Sequence, residues 1–181
     1  MNKSKEINMK KLISILLIAI TLLGLTACQS SDPASTPAVP GTTTTGGANG
    51  PKQLVLADTY KAIIANADMP EMMRVEEDML LDLYGIKAEQ YKQVEVYLCV
   101  NSLRADEIWL IEATDADALA QLKQLAENRL TAKDEESVTY SPEQNAIVKK
   151  AHLATYGNYL VMIVTPNVDT VTAAFKAEAG V

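Results

Sequence analysis

From Gln29 to Gln53 the chain is built almost wholly of Ser, Thr, Pro, Gly and Ala, including the run Thr42 to Thr45 followed by Gly46 and Gly47. Nothing in that segment can offset the entropy of ordering it, so it reads as a tether with a root-mean-square reach of roughly 25–30 Å. Folding is therefore confined to residues 54–181. A domain of that length buries roughly two thirds of its unfolded surface and needs neither disulfide nor metal to hold it.

The residues before the tether form a different pattern. Met1 to Lys11 is basic, Leu12 to Leu25 is mostly apolar, and Leu25-Thr26-Ala27-Cys28 closes the segment. The apolar run is shorter than the roughly 20 residues a spanning helix needs. Together these features resemble a bacterial lipoprotein signal peptide, residues 1–27, with an L-T-A-C lipobox. The resemblance implies lipidation of the Cys28 thiol, cleavage before it and an extracytoplasmic domain held to the cell membrane by acyl chains such as palmitate. Two or three chains at about 0.8 kcal/mol per buried methylene hold such an anchor firmly. Met9, followed by Lys10 and Lys11, would serve equally well as the start. The threonine run of the tether offers acceptors for glycosylation.

Charge narrows the partners. The chain carries a formal −7; the leader holds Lys3, Lys5, Lys10 and Lys11 against Glu6, so its removal leaves a still more acidic protein. That balance argues against nucleic acid as a partner, because duplex binding rests on neutralising phosphates with Lys and Arg. With Cys28 lipidated, the second cysteine, Cys99, has no disulfide partner and reads as a small buried hydrophobe.

Within residues 54–181, Leu56, Tyr60, Ile63, Ile64 and Ala67 follow the helical period, which predicts a helix over Val55 to Asn66 ended by Met69-Pro70. A second, short helix is expected over Glu76 to Tyr84, burying Met79, Leu80 and Leu83, with Gly85 as its left-handed cap. From Gln93 to Val100 the period changes to two, and Glu107 to Thr114 repeats it, so two strands are joined by a hairpin loop over Asn101 to Asp106. Thr114 and Asp115 then cap a third helix, Ala116 to Ala132, whose inner face carries Leu119, Leu122, Leu125, Ala126 and Leu130 and whose end is marked by Asp134-Glu135-Glu136. Ser141, Pro142 and Gln144 read as a capping box opening a short helix to Lys150. His152 to Tyr156 and Tyr159 to Thr165 form a second hairpin turned by Gly157-Asn158, and Asn167 opens a last helix with Val168, Val171, Ala174 and Phe175. Two ββα units in succession predict an α+β domain: a four-stranded antiparallel sheet with helices packed mainly on one face, plus the N-terminal helices.

The lipobox and tether, Tyr84-Gly85-Ile86, Ala105-Asp106-Glu107-Ile108, Arg129, Tyr140-Ser141-Pro142-Glu143-Gln144 and Gly157-Asn158-Tyr159 resemble small lipoproteins of the domain of unknown function family 4358, over residues 54–178. That family has no assigned activity. The resemblance implies an association with membrane-bound O-acyltransferases, and hence an accessory role in the O-acylation of a cell-surface polymer.

No G-x-S-x-G, H-E-x-x-H, Walker-type loop or Cys/His ligand spacing occurs, so neither a cofactor nor a metal is implied. The one histidine, His152, stands at a strand start. Asp115 and Asp117 read as helix caps rather than a calcium site, and Glu76-Glu77-Asp78 as a solvated face. The hairpin loop carries the more specific feature. Arg104, Asp106 and Glu107 cluster there, and loops on rigid hairpins often carry recognition, although Arg104 can equally pair with either acid and simply order the loop. Arg129 and Tyr140, near the end of the third helix, could line a pocket with them or only pack. Trp109 shares a strand face with Ile111 and reads as core. The expectation is a binding module of the cell envelope with a protein partner; surface O-acylation is the alternative, and a hydrolase of its own the third.

Overall fold

The structure is a computed structural model that describes residues 50–181. The leader, Cys28 and most of the tether lie outside the described residues. Five helices and five strands follow in the order α1 (Leu56–Ile64), β1 (Met72–Arg74), α2 (Leu80–Tyr84), β2 (Tyr91–Cys99), β3 (Glu107–Ala113), α3 (Ala116–Tyr140), α4 (Pro142–Val148), β4 (His152–Tyr156), β5 (Tyr159–Val164) and α5 (Val168–Ala179). The strands make one antiparallel sheet in the order β1-β2-β3-β5-β4. The domain is α+β as expected, with one strand more than the period-two pattern revealed. β1 is only Met-Met-Arg, too short to show alternation, and joins through the pairs Met72 with Cys99 and Arg74 with Tyr97.

The sheet is covered on both faces, not mainly on one. β3 and β5 are buried at every position, which only a two-sided cover permits. Side chains alternate across a strand, so each strand feeds two cores. Val94, Val96, Trp109, Ile111, Leu160, Met162 and Val164 meet Leu80, Leu122, Ala126 and Val148 from α2, α3 and α4. Ile108, Leu110, Val161 and Ile163 meet Leu56, Tyr60 and Ile63 of α1 and Val171 and Phe175 of α5 on the opposite face. The ββα pattern hid this, because it specifies that a helix follows each hairpin but not which face it covers.

Two helix boundaries also differ. α3 continues to Tyr140, with Asp134, Glu135 and Glu136 inside it; three acids on the outer turns of a helix are solvated at little cost. Ser141 and Pro142 end it instead, and Ser141 Oγ accepts from the Gln144 N–H at 3.3 Å. The second predicted helix is a 3-10 turn, Glu77–Met79, followed by α2, and only Leu80 is buried; Met79 and Leu83 are about half exposed. Gly85 does close α2 at φ 75°, as the sequence requires.

The chain enters the domain at one end of the sheet. The Leu54 N–H donates to the Tyr159 hydroxyl at 3.1 Å, and the Gln93 amide bridges Leu54 and the start of α1. Gly157 turns the adjacent hairpin at φ 58°, and a Cβ there would meet Pro51 Cγ at 2.9 Å. Gly157→Ala therefore carries both left-handed strain and a clash, and should destabilise the domain by about 1–2 kcal/mol or more in a urea titration.

Candidate functional site

At the opposite end of the sheet, β3 begins with a carboxylate that has no access to solvent. Glu107 is fully buried and its register partners, Leu98 and Val164, flank it in the sheet. The helix that answers it is placed by simple geometry. α3 starts just past Ala113 and runs back along the sheet; six residues of strand from Ala113 to Glu107 cover roughly 20 Å, and about 13 residues of helix from Ala116 cover the same distance. That brings Arg129 level with Glu107. Arg129 Nη2 donates to Glu107 Oε2 at 2.7 Å and its Nε to both oxygens at 3.1 Å. Lys133, one turn on, places Nζ 2.9 Å from the same Oε2. The Trp109 indole N–H donates to Oε1 at 2.8 Å.

Burial alone would push the Glu107 carboxyl pKa up, but the hydrogen bond from Arg129 and the charges of Lys133 and Arg129 outweigh it and hold it below its ordinary value. Burial works against the Arg129 charge in the same way, and the bond to Glu107 together with the charges of Glu107, Tyr84 and Glu136 more than restores it. The guanidinium also lies 5.4 Å from the centre of the Tyr84 ring, and that ring meets Trp109 edge-on at 4.9 Å.

A second buried acid sits one residue earlier. Asp106 is fully buried, and its Oδ2 accepts from Arg104 Nε at 3.0 Å, while Oδ1 has no hydrogen-bond partner among the described residues. The loop that carries this pair is pinned from outside: the Ala105 N–H donates to Gln144 Oε1 at 2.8 Å. The Gln144 side chain therefore completes a long-range contact and not the reciprocal half of a capping box, since the Ser141 N–H donates to the Ser137 carbonyl.

Between this loop and the second half of α3 lies a cavity of about 290 Å3. Arg104, Asp106, Glu107, Arg129 and Tyr140, the five residues singled out from the sequence, all line it, joined by Ser102, Cys99, Lys133, Glu136 and Ser137. The two acids lie behind the surface and the cations in front: Arg104 and Arg129 keep about a third of their side chains exposed, Lys133 a tenth. Asp106 and Glu107 are thus buried supports and not exposed recognition groups at a loop tip. Lys133 and Ser137 were missed. The signal was present, for they continue the i, i+4 stripe Ala118, Leu122, Ala126 on the buried face of α3. A lysine in an apolar stripe calls for a buried acid opposite. Ser137 Oγ is spent on the Lys133 carbonyl at 2.7 Å, and Asn145 ties α4 to it.

The other candidates lie elsewhere. His152 pairs across the sheet with Ile163, in the row of Ile108, so it faces α5 on the side opposite Glu107, 3.1 Å from the Tyr156 hydroxyl. Burial, and then Lys176, lower its pKa. Asp115 accepts from the Ala118 N–H at 2.8 Å as an N-cap. Arg74 spends its short hydrogen bond on Glu95 at 2.9 Å and lies 3.8 and 3.6 Å from Glu76 and Glu77, which stay largely exposed. Trp109 is core, as is Cys99, with 5 % exposure. Among the described residues no cluster of three or more His, Cys, Asp or Glu side chains is placed to hold a metal ion, and no helix is long and apolar enough to cross a membrane.

A family model described as Domain of unknown function (DUF4358) matches residues 65–165, more than half of the chain. The chain belongs to the DUF4358 family. No curated protein matches it, and no solved structure does. The DUF4358 match runs from the end of α1 to the residue after β5, so it takes in the whole sheet, α3 and every residue of the cavity.

Removing Glu107 leaves two cations facing a buried, uncompensated site. Glu107→Gln should cost about 3–5 kcal/mol in denaturant unfolding. The sign with pH follows from the lowered carboxyl: its stabilisation is fully present above the ordinary value of 4.5 and is lost as pH falls through the lower, folded-state value. The wild-type chain should lose stability more steeply than Glu107→Gln below about pH 4.5, measured as unfolding free energy against pH.

Proposed function

We propose that this DUF4358 chain is a membrane-anchored extracytoplasmic module of the cell envelope that binds a partner without transforming it, with the cavity beside α3 as its contact site. The observation that carries the reading is the cavity itself. Its cations are held at fixed positions by buried carboxylates on a β-strand and a long helix, an arrangement suited to pre-organised recognition. A hydrolytic mechanism would need a base beside a nucleophile. The hydroxyls at the cavity, Ser102, Ser137 and Tyr140, have no histidine on their side of the sheet.

The anchor belongs to the same proposal. It rests on the basic head, the short apolar run and Cys28 in L-T-A-C. In the folded domain the chain enters at the end of the sheet marked by Leu54 and Tyr159, and the cavity lies at the other end, roughly 20 Å away by the rise of β3. A lipid at Cys28 would therefore attach, through the tether, at the end of the domain remote from the cavity. Service to a surface O-acylation machinery is a narrower form of this reading, in which the partner is a component of that machinery.

In-cell crosslinking of the tagged full chain, followed by capture and mass spectrometry, tests it. One protein should be recovered in near-equal amount, lost with Cys28→Ala and reduced at least threefold with Tyr140→Ser, whose side chain is half exposed. Recovery that ignores Tyr140→Ser would remove the cavity from the contact, and recovery that ignores Cys28→Ala would remove the anchor.

A further inference from the structure

The two edges of the sheet are finished differently. β1 closes one edge with three residues, and its Arg74 is tied through Nε to Glu95 of the neighbouring strand at 2.9 Å. A short strand carrying a paired charge offers little for another chain to join. β4 closes the other edge with five residues, His152 to Tyr156, in unbroken register with β5. It holds no proline, and the chain has no Asp, Glu, Lys or Arg anywhere from Ala151 to Val168. None of the usual devices that keep an edge from pairing is present on β4.

The open side of β4 is set by its hairpin. Gly157 and Asn158 form a two-residue turn, so Tyr156 and Tyr159 exchange hydrogen bonds, and alternation gives the same to Ala154 with Val161 and His152 with Ile163. The N–H and C=O groups of Leu153 and Thr155 therefore point away from β5, and none of them has a hydrogen-bond partner among the described residues. Thr155 is exposed and Leu153 and Ala154 are half-buried, whereas β5 beside them is buried throughout.

We infer that β4 pairs with β4 of a second copy of this chain, the two strands antiparallel about a two-fold axis that passes between the two Ala154 residues. Leu153 and Thr155 stand symmetrically about Ala154, so this register sets each opposite the other and converts every open group on both strands into a hydrogen bond. A shift of two residues would set Thr155 against Ala151, whose N–H is already spent on Val148, or Leu153 against the turn at Gly157. At the axis the pair is of the non-hydrogen-bonded kind, with Cα atoms about 4.5 Å apart, and alanine is small enough for that approach. Around it Leu153 meets the partner's Thr155, and His152 the partner's Tyr156. Charge favours this edge for self-association. The chain is acidic, formally −7, so two copies repel over most of their surface, and an uncharged strand is where they can meet. The axis stands perpendicular to the sheet, so the two five-stranded sheets become one and both cavities lie on the same face of it. This pairing uses neither the cavity nor the anchor, and its failure would leave the binding reading untouched.

Disulfide trapping with copper phenanthroline, on membranes from cells expressing the full chain, tests the pairing. Ala154→Cys sets two thiols across the axis close to disulfide spacing, whereas two copies of Thr155→Cys lie on the diagonal, roughly 7–8 Å apart. Thr155 is the more exposed of the two, so random collision would favour Thr155→Cys. The expected result is a dimer from Ala154→Cys at least about fivefold above that from Thr155→Cys and from the wild-type chain, whose own thiols are Cys28 and Cys99. His152→Cys and Tyr156→Cys chains, expressed together, should trap as well, and neither should alone. Equal yields at 154 and 155, a larger yield at 155, or no dimer from either Ala154→Cys or the mixed pair would overturn the pairing.

Discussion

The ion cluster around Glu107 is the constraint on which the far end of the domain depends. A carboxylate with no exposure would cost several kcal/mol unpaired, so its position at the start of β3 obliges another element to bring cations to it. α3 is the element long enough to do so. Its first turns pack as an ordinary apolar face through Leu122 and Ala126, and its later turns carry Arg129 and Lys133 to the level of Glu107. The cluster therefore fixes how far along the sheet α3 lies, and with it the positions of Ser137 and Tyr140, the docking of α4 and, through Gln144, the path of the β2–β3 loop. Breaking one ion pair there would loosen several connections at once, which is why the cluster belongs to stability as much as to recognition.

That double role explains why acids and bases at this site are not equivalent. The acids lie behind the cavity surface and orient the bases; the bases meet the surface with donors still to spend. A charged residue close to the sequence of a hairpin loop is easily read as an exposed contact. Here the loop closes so tightly that the Cys99 N–H donates to the Asp106 carbonyl and Glu107 already belongs to β3, so both acids are buried and only Arg104 remains at the rim. A cleft of about 350 Å3 beside Thr114 and Gly157 has Asp115 as its one charged lining residue, and that carboxylate is spent as the cap of α3.

The gathering of Arg104, Asp106, Glu107, Arg129 and Tyr140 was partly legible, because a loop between two strong strands and the end of the following helix must lie near one another when that helix runs back over the sheet. What could not be read was depth. Burial of Glu107 depends on α3 extending past Ala132, and the acidic run at Asp134 masked that extension although it rests on the solvated side of the helix. Lys133 and Ser137 escape for the same reason, since a helix that stops at Ala132 leaves them outside its buried stripe. β1 escaped because three residues cannot show a period.

By itself the sequence determined the alternation of β2, β3 and β5, the helical stripes, the glycine turns at Gly85 and Gly157, the cap at Asp115 and membership in DUF4358, because each is written in local spacing or in residue type. Only the tertiary structure decided that helices cover both faces of the sheet, that a three-residue strand closes one edge, and that two acids sink behind three cations to shape a cavity. Those outcomes turn on which surfaces meet and how far one element reaches along another. Burial and charge compensation are set between residues distant in the chain, and a local pattern cannot carry them.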